Sequence, residues 1–123
     1  MLPIDPEIDM TYTPLPLQPT EAEAEFSVGQ VVHHRLFGYR GVIIDADAFF
    51  QGSESWYGTI AKSKPPKDRP WYHVLVDGGQ HQTYVAERNL EEDTEGGAIQ
   101  HPNVAEYFQA FTNGSYIPRA ALN

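Results

Sequence analysis

The side chains of this sequence with the most chemical reach are five histidines, two aspartates two residues apart, and a cluster of bases that runs into aromatic residues. His33 and His34 are neighbours in a run with β-branched residues, so on a strand they point to opposite faces and do not share one ion. His73 and His81 fall on the two arms of an expected hairpin and are the pair placed to approach each other. Asp45 and Asp47 project from one face of a strand or its end, as paired carboxylates do in hydrolytic sites. Their plainer role is to solvate a strand where it enters a polar loop. The chain has no cysteine, which removes disulfides, thiol nucleophiles and thiolate metal sites together. No nucleophile elbow, phosphate loop or dinucleotide fingerprint is present. The residues therefore nominate no catalytic, cofactor-binding or metal-ligating group, and the expectation is a protein that binds without catalysing.

Lys62, Lys64, Lys67 and Arg69 form the one local concentration of positive charge, and Trp71 and Tyr72 follow directly. Bases beside aromatic rings suit a strand of nucleic acid, with phosphates on the cations and nucleobases on the rings. With Arg35 and Arg40 they are the candidate contacts to DNA or to a protein partner. The net charge of -9 points the other way, because affinity for a phosphate backbone comes from Lys and Arg displacing counterions. That acidity belongs to the ends. Asp5, Glu7, Asp9, Glu21, Glu23 and Glu25 face no base in residues 1–25, while residues 26–90 are close to neutral.

Behind these residues stands a chain of 123 positions, enough for one domain with one core. Residues 1–25 carry five of the ten prolines and the run Glu21-Ala22-Glu23-Ala24-Glu25, a composition that buries too little apolar surface to offset ordering entropy. A disordered leader is expected there, a domain over 26–118, and a tail over 119–123. Residues 31–36 read as a strand, Phe37-Gly38-Tyr39-Arg40-Gly41 as a tight reversal and Val42-Ile43-Ile44 as the return. Residues 45–69 are polar, broken by Gly52, Gly58, Pro65 and Pro66, and longer than a compact domain ordinarily uses. Ser55-Trp56-Tyr57 suits a short helical turn within them. The firmest strand is Trp71-Tyr72-His73-Val74-Leu75-Val76, joined through Asp77-Gly78-Gly79 to His81-Gln82-Thr83-Tyr84-Val85. Val104, Tyr107, Phe108 and Phe111 follow Pro102 at helical spacing, with Asn113-Gly114 as the stop, which predicts a helix lying as a lid on the sheet. No segment approaches the roughly 20 apolar residues of a membrane span, and the expected location is the cytoplasm.

Four segments, in order, resemble one known family. Gly29-Gln30 with the histidine strand and Gly38-Tyr39-Arg40-Gly41 is similar to the opening of YccV-like domains. Pro70 to Asp77 is similar to their Pro-Trp-Tyr-His-Val-Leu-Val strand, Tyr84-Val85-Ala86-Glu87 with Asn89-Leu90 to the next segment, and His101-Pro102 through Tyr116-Ile117-Pro118 to the close of the longer members. The resemblance implies a mainly β fold, a small, partly open SH3-like barrel with the C-terminal helix packed on it, and no catalytic residue or cofactor. Members are described as binding hemimethylated DNA, and the HspQ type is linked to heat shock and to proteolysis with the Lon protease. The resemblance and the acidic charge together lead to the expectation of a stress-response adaptor or specificity factor in proteolysis and quality control, with Lon or its clients as partner. Recognition of hemimethylated DNA is the alternative, and self-association is left open.

Overall fold

The structure is a computed structural model that describes residues 24–61 and 63–119. The expected leader up to residue 23, Lys62 and the tail from residue 120 lie outside the described residues. Five strands form one antiparallel sheet: β1 (Val31–His34), β2 (Arg40–Asp47), β3 (Trp71–Val76), β4 (Gln82–Ala86) and β5 (Leu90–Glu92), in the order β4-β3-β2-β1-β5. A helix, α1 (Glu54–Ile60), sits in the β2–β3 connection, and a single turn, α2 (Val104–Tyr107), leads into a hairpin of β6 (Phe108–Thr112) and β7 (Ser115–Pro118). Among the described residues no helix is long and apolar enough to cross a membrane.

Alternation along the strands builds the two sides of the sheet. Val32, Ile43, Tyr72, Val74, Val85 and Leu90 close over Phe26 on one side, while Val31, Val42 and Leu75 meet Ile99, Phe108 and Tyr116 on the other. The edge strands β4 and β5 are joined in sequence by one 3₁₀ turn, Glu87–Asn89, so the sheet must curl to bring its two edges near each other. It curls without closing, because β4 and β5 are not paired, and the partly open barrel expected from the resemblance is found. The turn is pinned by the buried Glu87 carboxylate, which accepts from the Tyr72 hydroxyl at 2.8 Å and from the Glu25 backbone N–H at 2.8 Å. Burial, then the neighbouring Glu87, pushes the Tyr72 hydroxyl well above the usual phenol range, so it stays a proton donor.

Three local expectations change. β2 runs on to Asp47, with a bulge at Ile44 where the pairing steps from Ile43↔Val74 to Asp45↔His73. The helical periodicity from Val104 holds for only one turn, and Phe108 and Phe111 belong to a strand. Asn113 and Gly114 both have positive φ, 53° and 82°, which is the geometry of a two-residue hairpin turn, not a helix stop. Apolar residues at i, i+3, i+4 and i+7 also satisfy a short turn followed by a strand, and the hairpin turn decides between the two. The hairpin joins the main sheet where the Tyr116 N–H donates to the Gly29 carbonyl at 2.8 Å.

Close backbone packing sets where glycine is obligatory. A Cβ on Gly41 would lie 2.5 Å from Val74 Cγ1 and 2.6 Å from the Leu75 carbonyl oxygen, so Gly41→Ala should cost about 1–3 kcal/mol. Gly58, inside α1 with open space around it, should gain up to about 1 kcal/mol as Gly58→Ala. Urea midpoints of the two variants moving in opposite directions are the expected result.

Candidate functional site

An aromatic-lined groove of about 390 Å³, within the usual range for ligand sites, opens beside the edge strand β4. Its floor is Tyr84 over the buried Trp71, one wall is the β1–β2 turn with His34, Phe37 and Tyr39, and the other is α1 with the segment leading to Pro65. The sequence builds each part locally. Ser53 caps α1, its Oγ accepting from the Trp56 N–H at 3.0 Å, and this sets Trp56 over the sheet. Trp71 is buried, its indole N–H donating to the Pro66 carbonyl at 3.0 Å, while the Tyr57 hydroxyl donates to the Pro65 carbonyl at 2.6 Å. Phe50, Trp56 and Tyr84 surround the Trp71 ring at centroid distances of 4.8, 6.0 and 5.2 Å, within the range of favourable aromatic pairs. The long connection, expected as an irregular loop, is thus a packed wall.

His34 organises the opposite wall. It is buried, stacked on Phe37 at 4.7 Å, and its Nδ1 accepts from the N–H groups of both Leu36 and Phe37 at 3.1 Å. Burial, aided by neighbouring His33, holds its pKa below the ordinary value, and a neutral Nδ1 is what the two donors require. The result is a turn that holds Leu36 and Phe37 outward, 58% and 69% exposed, facing Ile60 of α1 at 52% across the groove mouth. Three large apolar side chains held open around an aromatic floor are costly to leave in water, and such patches mark binding surfaces.

The six basic candidates do not converge. Lys62 lies outside the described residues. Arg40 is an internal pin, its side chain 11% exposed, bound to Asp93 at 2.9 Å and Asp77 at 3.2 Å and donating to the Gly96 and Gly97 carbonyls. Burial pushes the Asp93 carboxyl up, but the hydrogen bonds from Arg40 and from the Gly96 N–H outweigh it and keep the group ionised. Lys67 is paired with Glu54 at 2.8 Å, Arg69 with Glu87 at 3.3 Å and Arg35 with Glu91 at 3.3 Å. Lys64 instead donates to the Tyr57 and Gly58 carbonyls, and Arg88, which the sequence did not single out, donates to the Ser63 carbonyl. Among the described residues these two have no carboxylate partner beside the groove.

The histidines also sort themselves. His33 turns to Glu91 at 2.8 Å, away from His34. His73 stands opposite Tyr84 and not His81, and the bulge at Ile44 brings Asp45, Asp47 and His73 together, with donor atoms within 4.8 Å of one another. Asp47 Oδ2 is already shared by the Tyr84 hydroxyl at 2.6 Å and His73 Nε2 at 3.2 Å. Burial first and that carboxylate second drive the Tyr84 hydroxyl far above its ordinary pKa. The triad acts as a strut that orients the Tyr84 ring in the groove floor.

A curled antiparallel sheet carrying a preformed aromatic groove defines a small β-domain of the binding-module class. The family profile described as "Hemimethylated DNA-binding protein YccV like" matches residues 24–115, and the chain belongs to this YccV-like family. The mouse (Mus musculus) F-box only protein 21 is 36% identical over 99 residues, covering 79% of this chain, and its human (Homo sapiens) and Pongo abelii counterparts are 35% identical over the same length. The chain spans 16% of the length of these relatives, so the likeness concerns one domain of a much larger protein.

The His34 wall carries its own pH dependence. A base whose folded pKa is depressed takes up its proton more readily when unfolded, so stability falls as pH drops through about 6.5 and levels off below the folded value. His34→Asn, which keeps an acceptor for the two N–H groups, should flatten the fall in urea midpoint between about pH 7.5 and 5.5. An unchanged slope would show that His34 does not carry it.

Proposed function

We propose that this chain is a non-catalytic recognition module whose working surface is the aromatic groove. The observation that supports this most is the groove mouth, where Leu36, Phe37 and Ile60 are held exposed around the Trp71 and Tyr84 floor. The family description makes hemimethylated DNA the first ligand class to test. DNA recognition on this surface would differ from that of a basic groove. Arg35, Arg40, Lys67 and Arg69 are paired with carboxylates, which leaves Lys64 and Arg88, bonded to carbonyls, as the described cations beside the groove without a carboxylate partner. The aromatic floor would then supply the remaining contact, to a base turned out of the stack or to the apolar methyl group itself.

A protein ligand is the second reading, favoured by the net charge of -9 and by the apolar character of the groove mouth. The Lon protease or a client segment, which the HspQ resemblance implies, is the partner of that reading.

Fluorescence anisotropy with unmethylated, hemimethylated and fully methylated duplexes across a salt series separates them. For the DNA reading we expect preference for the hemimethylated duplex and a slope of log K against log salt of about -2, since two cations each release about one counterion. Lys64→Glu with Arg88→Glu should remove that slope, and Phe37→Ala should weaken binding at every salt concentration without altering it. No binding to any duplex at low salt, with Phe37-dependent binding to purified Lon that survives moderate salt, would replace DNA by protein.

A further inference from the structure

We propose that the aromatic groove is a binding site for an extended proline-containing segment, and that its occupant in this chain is Pro16-Leu17-Gln18-Pro19 of the N-terminal region. The inference rests on the groove being a binding surface and on neither choice of external ligand.

The groove has the chemistry such a segment needs. Prolines in an extended left-handed helix present flat, apolar rings at three-residue spacing, lose little entropy on binding and dock against aromatic side chains. Trp56, Tyr84 and Phe37 line the groove with the buried Trp71 beneath them, and Leu36 and Ile60 offer apolar cover at its mouth. Pro16 and Pro19 are three residues apart and fall on one edge of such a helix, with Pro14, Leu15 and Leu17 extending the apolar stretch. The chain's other Pro-x-x-Pro, from Pro3 to Pro6, encloses Asp5, a charge that an aromatic floor would desolvate.

Reach and charge agree with this assignment. Ala24, the first described residue, packs on the cluster that contains Tyr39 and Val85, and both also line the groove. The five residues from Pro19 to Ala24 span at most about 17 Å and the eight from Pro16 at most about 28 Å, and the chain is anchored at Glu25, whose N–H is bonded to Glu87, next in sequence to the groove residue Ala86. Glu21 and Glu23 lie in that tether. Lys64 adjoins the groove residues Ser63 and Pro65, and Arg88 is bonded to Ser63, so two cations without a carboxylate partner among the described residues stand beside the groove, of opposite sign to the tether.

Of the chain's two tryptophans Trp56 is partly exposed in the groove and Trp71 is buried beneath it, so intrinsic fluorescence reads occupancy through Trp56 without any added ligand. In the full chain, Pro16→Ala with Pro19→Ala should shift tryptophan emission to the red and raise its quenching by acrylamide, while Pro3→Ala with Pro6→Ala should change neither. A synthetic peptide of residues 12–21 should restore the wild-type spectrum to the first variant. It should compete poorly with the tethered segment, binding the wild-type chain at least about tenfold more weakly. Adding Ile60→Asp, at an exposed position, should abolish peptide binding with the urea midpoint unchanged. Identical spectra and quenching in the wild type and the Pro16/Pro19 variant would overturn the proposal. A spectrum that varies with protein concentration would place the segment on a second copy and overturn its intramolecular form.

Discussion

The burial of Trp71 at the first position of β3 is the constraint on which most of this structure depends. Its ring is enclosed by Phe50, Trp56, Tyr57 and Tyr84, and its indole N–H has one partner, the Pro66 carbonyl. Losing such a side chain from a packed site costs about 3–5 kcal/mol, a large fraction of the stability of a small domain. Satisfying its N–H forces the chain around Pro65 and Pro66 to return across the sheet. That return holds α1 against β4 and turns a connection of more than twenty residues into one side of a groove. Fold and groove are therefore consequences of the same contact.

Electrostatics complete the frame without adding a basic face. Arg40 gathers Asp77, Asp93 and two glycine carbonyls and so fixes the acidic segment after β5 against β2. Glu87 gathers Tyr72, Arg69 and the Glu25 N–H at the turn that curls the sheet. In both places the partners are far apart in sequence, and in both a cation that looks available in the sequence serves the fold.

Much of the sheet was legible in the sequence because it is local. The run from Trp71 to Val76, its Asp-Gly-Gly turn and the aromatic strand after it identify β3 and β4, and Gly38 to Gly41 marks the β1–β2 reversal. Alternation separates His33 from His34. The site was less legible, for physical reasons that can be named. One inserted residue at Ile44 shifts the phase of β2 and brings Asp45 opposite His73, which no spacing rule anticipates. Ion pairs such as Arg35 with Glu91 and Arg69 with Glu87 depend on the sheet curling, so the basic residues looked freer than they are. The groove is made from three separated segments, and its signal was present as exposed apolar residues in turns, Leu36 and Phe37, which were read as strand and reversal. At the C-terminus a pattern compatible with two structures is resolved by Asn113-Gly114, which turns a hairpin and does not end a helix.

Recognition in the aromatic groove, and not on the basic stretch from Lys62 to Arg69, is tested by following backbone and indole N–H resonances of the full chain while a hemimethylated duplex is added. The largest changes should fall on the Trp56 and Trp71 indoles and on the amides of Phe37, Ile60 and Tyr84. Changes confined to Lys64, Lys67 and Arg69, with both indoles unmoved, would contradict it.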